Sequence, residues 1–252
     1  RAAATGSTGQ PRIGTFYGLA QQHVGLFFPL VGQAAGFADP RREPAFIDVE
    51  AAQYFLNRIV EPRITDFDEL RLTRPRLLGQ LLDNAHKAAL AGFGLDEIAA
   101  RLSAAWSGDP RRLKAYQRAQ DIALEFRRFC LDRGALDFSL QHDMFARHLL
   151  QETAYRKFIA GQCRYLLIDN VEELPPIAHD FVRLALSGCD EAIVVEDDPG
   201  GFRLFLGADP ASARRLRTVC DTVEEAVAPI QDRPIAMFGR TLAAVVAAPA
   251  EA

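Results

Sequence analysis

Two short apolar runs, each ending in acidic residues, constrain the fold more than any other feature of the sequence. The first is YLLID (165–169) and the second is EAIVVED (191–197), and PIAHDFVRLALSG (176–188) lies between them with the apolar spacing of a helix. A strand, a helix and a second strand in this order are typical of a buried parallel sheet. The sequence therefore predicts an α/β fold in which these two runs are parallel strands.

Acidic residues follow both runs. Asp169 comes directly at the end of the first run, and Glu196, Asp197 and Asp198 follow the second. In a parallel α/β sheet, ligands bind beyond the carboxyl ends of the strands. A carboxylate there can hold Mg²⁺ beside nucleotide phosphates, although strands also end in Asp merely to cap the next helix. The pattern predicts a metal and phosphate site at this edge, with helix capping as the alternative.

Most of the remaining sequence has a helical pattern. PRIGTF (11–16) is predicted to be a short strand, followed by a helix that reaches Gly32. Asp109, Pro110 and Gly134 predict the N-cap, the first position and the end of one long helix. Further helical segments are predicted over 48–60, 74–92, 95–106 and 138–159.

The order of these elements predicts a core and an insertion. Residues 1–35 and 135–252 are assigned to the α/β core, and residues 36–134 to a helical subdomain inserted between them. The Ala-rich tail TLAAVVAAPAEA (241–252) is predicted to be a last short element with a loose end.

Composition places few limits on partners. The net charge of −4 gives no strong overall attraction to nucleic acid, although DPRRLKAYQR (109–118) and ASARRLRT (211–218) concentrate positive charge locally. The four cysteines form no C-x-x-C pair, so a zinc or redox motif has no support. The five histidines lie far apart and are interpreted as structural or surface residues. No apolar stretch is long enough for a membrane span, so we expect no membrane contact and a reduced, cytoplasmic setting.

Four segments, in order, resemble the UvrD/Rep-like superfamily 1 DNA helicases: IGTFYGLA (13–20), GALDFSLQ (134–141), YLLIDNVEEL (165–174) and AIVVEDDPGGFRLFLGADP (192–210). The resemblance covers roughly residues 11–210. It implies a P-loop NTPase-like (RecA-like) parallel sheet with an inserted helical subdomain. It also implies ATP and Mg²⁺ as cofactors, and single-stranded DNA or DNA junctions as partners.

The first two segments resemble family motifs near DNA and ahead of the Walker B strand. The first looks like the T-F-H-S motif that contacts single-stranded DNA, which implies that Thr15, Phe16 and Tyr17 bind DNA. Tyr17 stands in place of the motif's His and can still stack on a base. The alternative is that the rings of Phe16 and Tyr17 are buried in the core. The second segment looks like the L-D-F element.

The last two segments resemble the Walker B motif, D-E-x-Q-D, and the segment that links nucleotide to DNA. The resemblance implies that Asp169 is the Mg²⁺ ligand, that Asp197 lies near the nucleotide and that Phe205 stacks on a DNA base. Glu172 and Glu173 replace the family's Gln and Asp, and they too are assigned to the nucleotide's surroundings.

Several positions depart from the family pattern. Asn170 occupies the place of the Glu that activates the attacking water, and an amide cannot accept that proton, a loss that typically costs about 10²–10⁴-fold in rate. Gly200, also expected near the nucleotide, stands where the family has a phosphate-sensing Gln. We therefore expect weakened or absent ATP hydrolysis.

The phosphate-binding motif G-x-x-x-x-G-K-[ST] does not occur in the sequence. TGSTG (5–9) has no Lys and is predicted to be a flexible loop. Because the chain begins at Arg1 without Met, we expect a fragment whose Walker A motif lies upstream.

Three interpretations remain open. The first is a fragment of a UvrD-like ATP-dependent DNA helicase with weakened or lost ATPase activity. The second is a non-enzymatic helicase-like module that binds DNA or protein in repair or recombination, beside a partner helicase or nuclease subunit. The third is a plain α/β protein whose resemblance is a coincidence.

Overall fold

The computed structural model describes residues 11–198, 200–225 and 241. TGSTG (5–9) and most of the tail TLAAVVAAPAEA lie outside the described residues. The chain divides into two compact units, Arg1–Thr218 and Val219–Ala252, and all elements discussed below belong to the first.

The described part of the first unit contains nine α-helices and four short strands. The helices are α1 Phe16–Ala35, α2 Val49–Val60, α3 Arg74–Ala91, α4 Ile98–Ala105, α5 Arg111–Arg133, α6 Phe138–Arg147, α7 Thr153–Ala160, α8 Pro176–Leu186 and α9 Pro210–Arg214. The strands are β1 Ala45–Phe46, β2 Ala135–Leu136, β3 Tyr165–Ile168 and β4 Glu191–Val194. Short 3₁₀ helices include Glu61–Leu70, Leu95–Glu97, Leu149–Gln151, Val171–Glu173 and Leu204–Leu206.

Capping residues explain most helix boundaries. Asp48 precedes α2, and its carboxylate accepts a hydrogen bond from the amide of Ala51 at 2.8 Å. Helices α3 and α5 end as predicted, at Gly92 and Gly134, whose φ angles are 82° and 66°. Helix α5 begins one residue later than predicted, with Pro110 as its N-cap. Capping signals in the sequence therefore predict the ends of α3 and α5 and the start of α5 to within a residue.

The predicted strand over 11–16 is wrong. Residues 11–15 form no strand, and α1 starts at Phe16. The reason is that Thr15 acts as the N-cap, since its hydroxyl accepts a hydrogen bond from the amide of Gly18 at 3.2 Å. The helix also continues beyond Gly32 and ends at Gly36, where φ is 89°.

The two acidic-ended runs form the predicted parallel pair. Strands β3 and β4 align from Tyr165 opposite Glu191 to Ile168 opposite Val194, and α8 connects them. A second parallel pair joins β1 to β2, with Ala45 opposite Ala135. Strand β1 was not predicted, and it lies inside the segment expected to be helical. The described chain is thus mostly helical, with two separate pieces of parallel sheet.

One face of the β3–β4 sheet is open to solvent, which corrects the prediction of a fully buried sheet. Tyr165, Leu167 and Ile193 are 66%, 71% and 63% exposed. On the opposite face, Ile168 and Val194 pack against a small core that includes side chains of α8 and α9. The runs are apolar on both faces, but the described residues cover only one.

The main hydrophobic core is shared by the predicted core and insertion segments. Helix α6 packs against α1 and α3, and buried side chains such as Phe28, Leu56, Ile122 and Phe145 belong to one cluster. The boundaries proposed at residues 36 and 134 remain a prediction.

Candidate functional site

The acidic ends of β3 and β4 meet at one edge of the sheet. The amide of Val195 donates to the carbonyl of Ile168 at 2.8 Å, and the amide of Val171 donates to the carbonyl of Val195 at 3.1 Å. These bonds continue the ladder past both strands. Asp169 and Asp197 follow on either side and are exposed. The structure therefore brings the two predicted carboxylates to the carboxyl edge of the sheet, where ligands of parallel sheets bind.

Asn170 has a left-handed backbone conformation, with φ 52° and ψ 48°. Asn tolerates this conformation better than most residues because its short polar side chain adapts to it. The main-chain amide of Asn170 donates a hydrogen bond to Oδ1 of Asp169 at 3.0 Å, and the side chain of Asn170 is exposed. This geometry turns the chain out of β3 into the 3₁₀ helix Val171–Glu173. The residue suits a sharp turn, and its side-chain amide has no basic site to activate water.

The next two acidic residues bind main-chain amides. Oε2 of Glu172, which is only 3% exposed, accepts a hydrogen bond from the amide of Asp197 at 3.2 Å. Oε1 and Oε2 of Glu173 accept from the amides of Phe202 and Arg203 at 2.9 and 3.0 Å. Carboxylates that accept amide hydrogens in this way hold backbone firmly. Both side chains thus fasten the segment after β4 to the turn after β3. Their predicted place near a nucleotide stays a prediction.

Gly200 is required by close packing. A Cβ atom there would lie 2.5 Å from the carbonyl oxygen of Asp197 and 2.7 Å from Cγ of Glu172. The first distance would require the backbone to move, and the second would require the side chain of Glu172 to shift. The Gly that replaces the family's Gln therefore lets the loop approach Glu172.

Basic residues neutralise part of the acidic edge. Arg217 and Arg214 lie 3.0 and 3.6 Å from the carboxylate of Glu196, and Arg214 lies 3.9 Å from Asp198. Asp169 and Asp197 form no ion pair among the described residues. In that part of the chain, no three His, Cys, Asp or Glu side chains cluster in a way that would hold a metal ion. An ion at Asp169 would need phosphate oxygens and water as further ligands, which is how Mg²⁺ commonly binds.

The 202–206 loop (FRLFL) exposes a run of large apolar side chains. Phe202, Leu204, Phe205 and Leu206 are 77%, 64%, 68% and 52% exposed, and Arg203 lies among them. The backbone of this loop is fixed by Glu173, so the exposed side chains stand on an ordered base. An exposed apolar patch of this kind often marks a site that binds a partner.

The start of α1 carries the predicted DNA-binding residues Thr15, Phe16 and Tyr17. Thr15 is exposed and caps the helix. The rings of Phe16 and Tyr17 are half-buried, an outcome between the two predicted alternatives of DNA contact and burial in the core. The ring of Phe16 packs edge-on against Phe145 at 5.6 Å, and the ring of Tyr17 lies edge-on to His142 at 5.3 Å. Phe16 thus belongs to the core, and Tyr17 remains accessible on one side.

The charge of Arg203, in the 202–206 loop, acts on Tyr17 at this helix start. Burial raises the pKa of Tyr17, and the positive charge of Arg203 opposes that rise, so the two side chains lie within electrostatic reach. The half-exposed ring of Phe138 lies 6.2 Å from that of Tyr17. Aromatic faces and a guanidinium therefore occur together beside the loop.

Two histidines, interpreted from the sequence as structural or surface residues, lie behind Tyr17, with His142 buried and His86 half-buried. Nδ1 of His142 donates to the carbonyl of Phe138 at 2.6 Å, so its Nε2 carries a lone pair. The rings of His142 and His86 lie 5.4 Å apart, and the buried Nε2 atom of each has no hydrogen-bond partner among the described residues. Burial lowers the pKa of His142 to about 4 and also lowers that of His86. The four-residue spacing of Phe138 and His142 places both on one face of α6, and this is the sequence feature that could have indicated their contact.

No protein-family model matches the chain, and no curated protein matches it. The likeness to UvrD/Rep-like helicases therefore rests on the four quoted segments and their order. None of the helices among the described residues is long and apolar enough to cross a membrane.

Proposed function

We propose that this chain is part of a UvrD-like superfamily 1 DNA helicase motor that binds single-stranded DNA, with its ATPase activity weakened or lost. The proposal includes a P-loop NTPase-like core, to which the β3–β4 pair would belong. The observation that carries it is the exposed apolar 202–206 loop, whose Arg203 lies within electrostatic reach of Tyr17, itself 6.2 Å from the ring of Phe138. This surface offers aromatic faces and a cation together, the combination that single-stranded nucleic acid uses.

In this proposal, bases stack on Phe205 and on the accessible side of Tyr17. Each such contact contributes about 1–3 kcal/mol. Arg203 is exposed between Phe202 and Leu204 and would supply charge for a phosphate. Thr15 lies at the exposed start of α1 and is available for a phosphate contact from its backbone.

The nucleotide side of the proposed motor is incomplete within this sequence. Asp169 offers an exposed carboxylate of the type that Mg²⁺ takes, and bound Mg²⁺ would neutralise phosphate charge during transfer. The sequence contains no Gly-rich phosphate loop with Lys, so these residues do not supply the cradle for ATP. ATP binding therefore depends on residues outside the 252 of this chain.

The second candidate is a helicase-like module that binds DNA or protein without hydrolysing ATP, and the turn after β3 supports it. Asn170 cannot serve as a base, and the carboxylates that follow it, Glu172 and Glu173, already accept main-chain hydrogen bonds. The two carboxylates of the turn Val171–Glu173 are thus already engaged in holding backbone amides. Such a module would act in repair or recombination beside a partner helicase or nuclease subunit.

DNA binding tests the surface directly. We would measure the fluorescence anisotropy of a labelled oligothymidylate with the unmodified chain, with Phe205→Ala and with Leu26→Ala. Leu26 is a matched control, because it is 63% exposed on α1 and lies outside the proposed surface. Loss of one stacking contact is expected to weaken binding about 5- to 150-fold for Phe205→Ala only. Equal affinities for all three proteins would contradict the proposal.

ATP turnover distinguishes the two candidates. The full-length protein that contains this chain and its Asn170→Glu variant would be assayed with and without single-stranded DNA, because the 252 residues themselves supply no phosphate cradle. We expect no turnover in either protein together with intact DNA binding, which supports the binding module. DNA-stimulated turnover by the unmodified full-length protein would show that another residue activates water and that the motor is intact.

A further inference from the structure

A cleft of about 570 Å³ lies between α2 and α5, away from the acidic edge described above. Its volume is in the range of sites that bind small molecules. The residues that line this α2–α5 cleft come from α2, from the turn after it and from α5: Phe55, Arg58, Ile59, Pro62, Arg63, Glu125, Phe129 and Arg133.

The spacing of these residues explains how the cleft forms. Glu125, Phe129 and Arg133 are each four positions apart on α5, so they occupy one face of that helix. Phe55 and Arg58 are three apart on α2, and Pro62 follows where the helix gives way to a 3₁₀ segment. The two faces oppose each other because α2 packs against α5.

The cleft carries excess positive charge. The guanidinium of Arg63 lies 2.5 Å from the carboxylate of Glu125, so the charges of these two side chains compensate each other. The same guanidinium lies 3.4 Å from the carbonyl oxygen of Ile59. Arg58 and Arg133 are exposed, and neither pairs with a carboxylate in the part of the chain that the structure describes. Three guanidinium groups and one carboxylate line the cleft, which leaves two uncompensated positive charges.

Aromatic rings form the apolar part of the same cleft. The rings of Phe55 and Phe129 lie 5.2 Å apart with an interplanar angle of 41°. The guanidinium carbon of Arg133 sits 3.8 Å from the centroid of Phe129, which holds this cation at the aromatic surface. Tyr54, 61% exposed, is 5.4 Å from Phe55.

We propose that the α2–α5 cleft binds a nucleotide unit, with its phosphate between Arg58 and Arg133 and its base against Phe55. The two uncompensated guanidinium groups match phosphate charge, and the Phe ring provides a stacking face. An acidic peptide would use the charges and leave the aromatic ring without a partner. The nucleotide comes either free or as part of single-stranded DNA, and the second source rests on the proposed function.

Charge removal tests the cleft. We would titrate the 252-residue chain with a fluorescein-labelled oligothymidylate of about 15 nucleotides at several salt concentrations. The variants are Arg58→Gln/Arg133→Gln and, as a matched control, Arg128→Gln, an exposed arginine of α5 that does not line the cleft. Circular dichroism would confirm that each variant is folded. We expect the double variant to bind at least tenfold more weakly, with Arg128→Gln unchanged. The slope of log affinity against log salt concentration should decrease by about 0.7 in the double variant, because the two arginines share one phosphate.

Competition identifies the source of the nucleotide. Thymidine monophosphate, a longer unlabelled oligothymidylate and a polyglutamate peptide would each compete for the labelled probe. Displacement by monophosphate, lost in the double variant, supports a site for free nucleotide, and displacement by the oligonucleotide alone supports a DNA contact. Displacement by polyglutamate as effective as by oligonucleotide would overturn the proposal in favour of an acidic protein partner.

The binding measurements distinguish a failure of the cleft proposal from a failure of the proposed function. If the double variant and Arg128→Gln bind DNA as tightly as the unmodified chain, the cleft proposal is overturned and the DNA surface at Phe205 is not. If the unmodified chain binds neither the oligonucleotide nor the monophosphate, both proposals are overturned.

Discussion

Oε2 of Glu173 accepts a hydrogen bond from the main-chain amide of Arg203 at 3.0 Å. The other carboxylate oxygen accepts from the amide of Phe202 at 2.9 Å, so one side chain holds two successive amides of the exposed loop. The bonds link the turn after β3 to the segment after β4. The position of the loop therefore depends on Glu173, which the resemblance to helicases assigns to the surroundings of the nucleotide.

Removing this carboxylate should release the loop. For Glu173→Ala we expect a decrease of about 1–3 kcal/mol in the free energy of unfolding, because two amides lose a charged acceptor. Hydrogen exchange at Phe202 and Arg203 should accelerate, whereas Glu173→Gln, which keeps one acceptor oxygen, should have a smaller effect. Unchanged exchange at both amides in Glu173→Ala would show that the loop is held by other contacts.

Gly200 gives a second stability prediction. Gly200→Ala should decrease the free energy of unfolding by about 1–3 kcal/mol, since its Cβ would lie 2.5 Å from the carbonyl oxygen of Asp197. Gly79→Ala is the matched control, because that Gly lies within α3 and a Cβ there meets no atom within 4 Å. The control should be more stable by about 0.5–1 kcal/mol. Urea denaturation of both variants measures the difference, and equal changes would refute the close approach.

The backbone of Asn170 predicts a cost for restoring the family's Glu. Its φ of 52° is unfavourable for most side chains, so Asn170→Glu should lower the free energy of unfolding by about 1 kcal/mol. Asn170→Gly should be neutral or slightly stabilising, because Gly adopts this conformation freely. Chemical denaturation of the three proteins checks the order. A Glu variant as stable as Asn170→Gly would mean that the turn relaxes to another conformation.

Stability should decrease in mild acid because of His23. Its Nδ1 lies 2.8 Å from the hydroxyl of the buried Tyr155, and burial lowers the pKa of His23 from 6.5 to about 4, with a smaller contribution from Arg12. The unfolded chain thus takes up this proton at a higher pH than the folded chain. The contribution of His23 to stability is fully present above pH 6.5. It is lost as the pH falls to about 4, which lowers the free energy of unfolding by roughly 3 kcal/mol.

His23→Gln provides the control for this pH dependence. The variant keeps a side chain that can hydrogen-bond to Tyr155 but cannot take up the proton. Denaturation midpoints measured from pH 7.5 to pH 4 should fall less steeply for the variant, while His142, whose pKa is lowered in the same way, contributes equally to both proteins. Parallel curves would show that His23 does not titrate differently in the two states.

The sequence predicts local features better than distant contacts. The pairing of β3 with β4 followed from two apolar runs around a helix, and the ends of α3 and α5 followed from Gly92 and Gly134. Strand β1 was missed because two residues after Pro44 are too few to show alternation. The open sheet face could not be predicted, because a run that is apolar on both faces does not reveal which face is covered.

The same limit applies to the candidate site. The exposed carboxylate of Asp169 follows from its place at a strand end, but the role of Glu173 depends on amides 29 and 30 residues away in the sequence. The α2–α5 cleft is similar. The four-residue spacing of Glu125, Phe129 and Arg133 is visible in the sequence, yet their position opposite Arg58 is set by helix packing.

Hydrogen bonds join the turn Val171–Glu173 to the segment after β4. Asp169 lies two residues before this turn, and Glu172 and Glu173 accept hydrogen bonds from the main-chain amides of Asp197, Phe202 and Arg203. The acidic edge of the sheet and the exposed apolar surface therefore share one hydrogen-bonded scaffold, and a ligand that displaced one of them would act on the other.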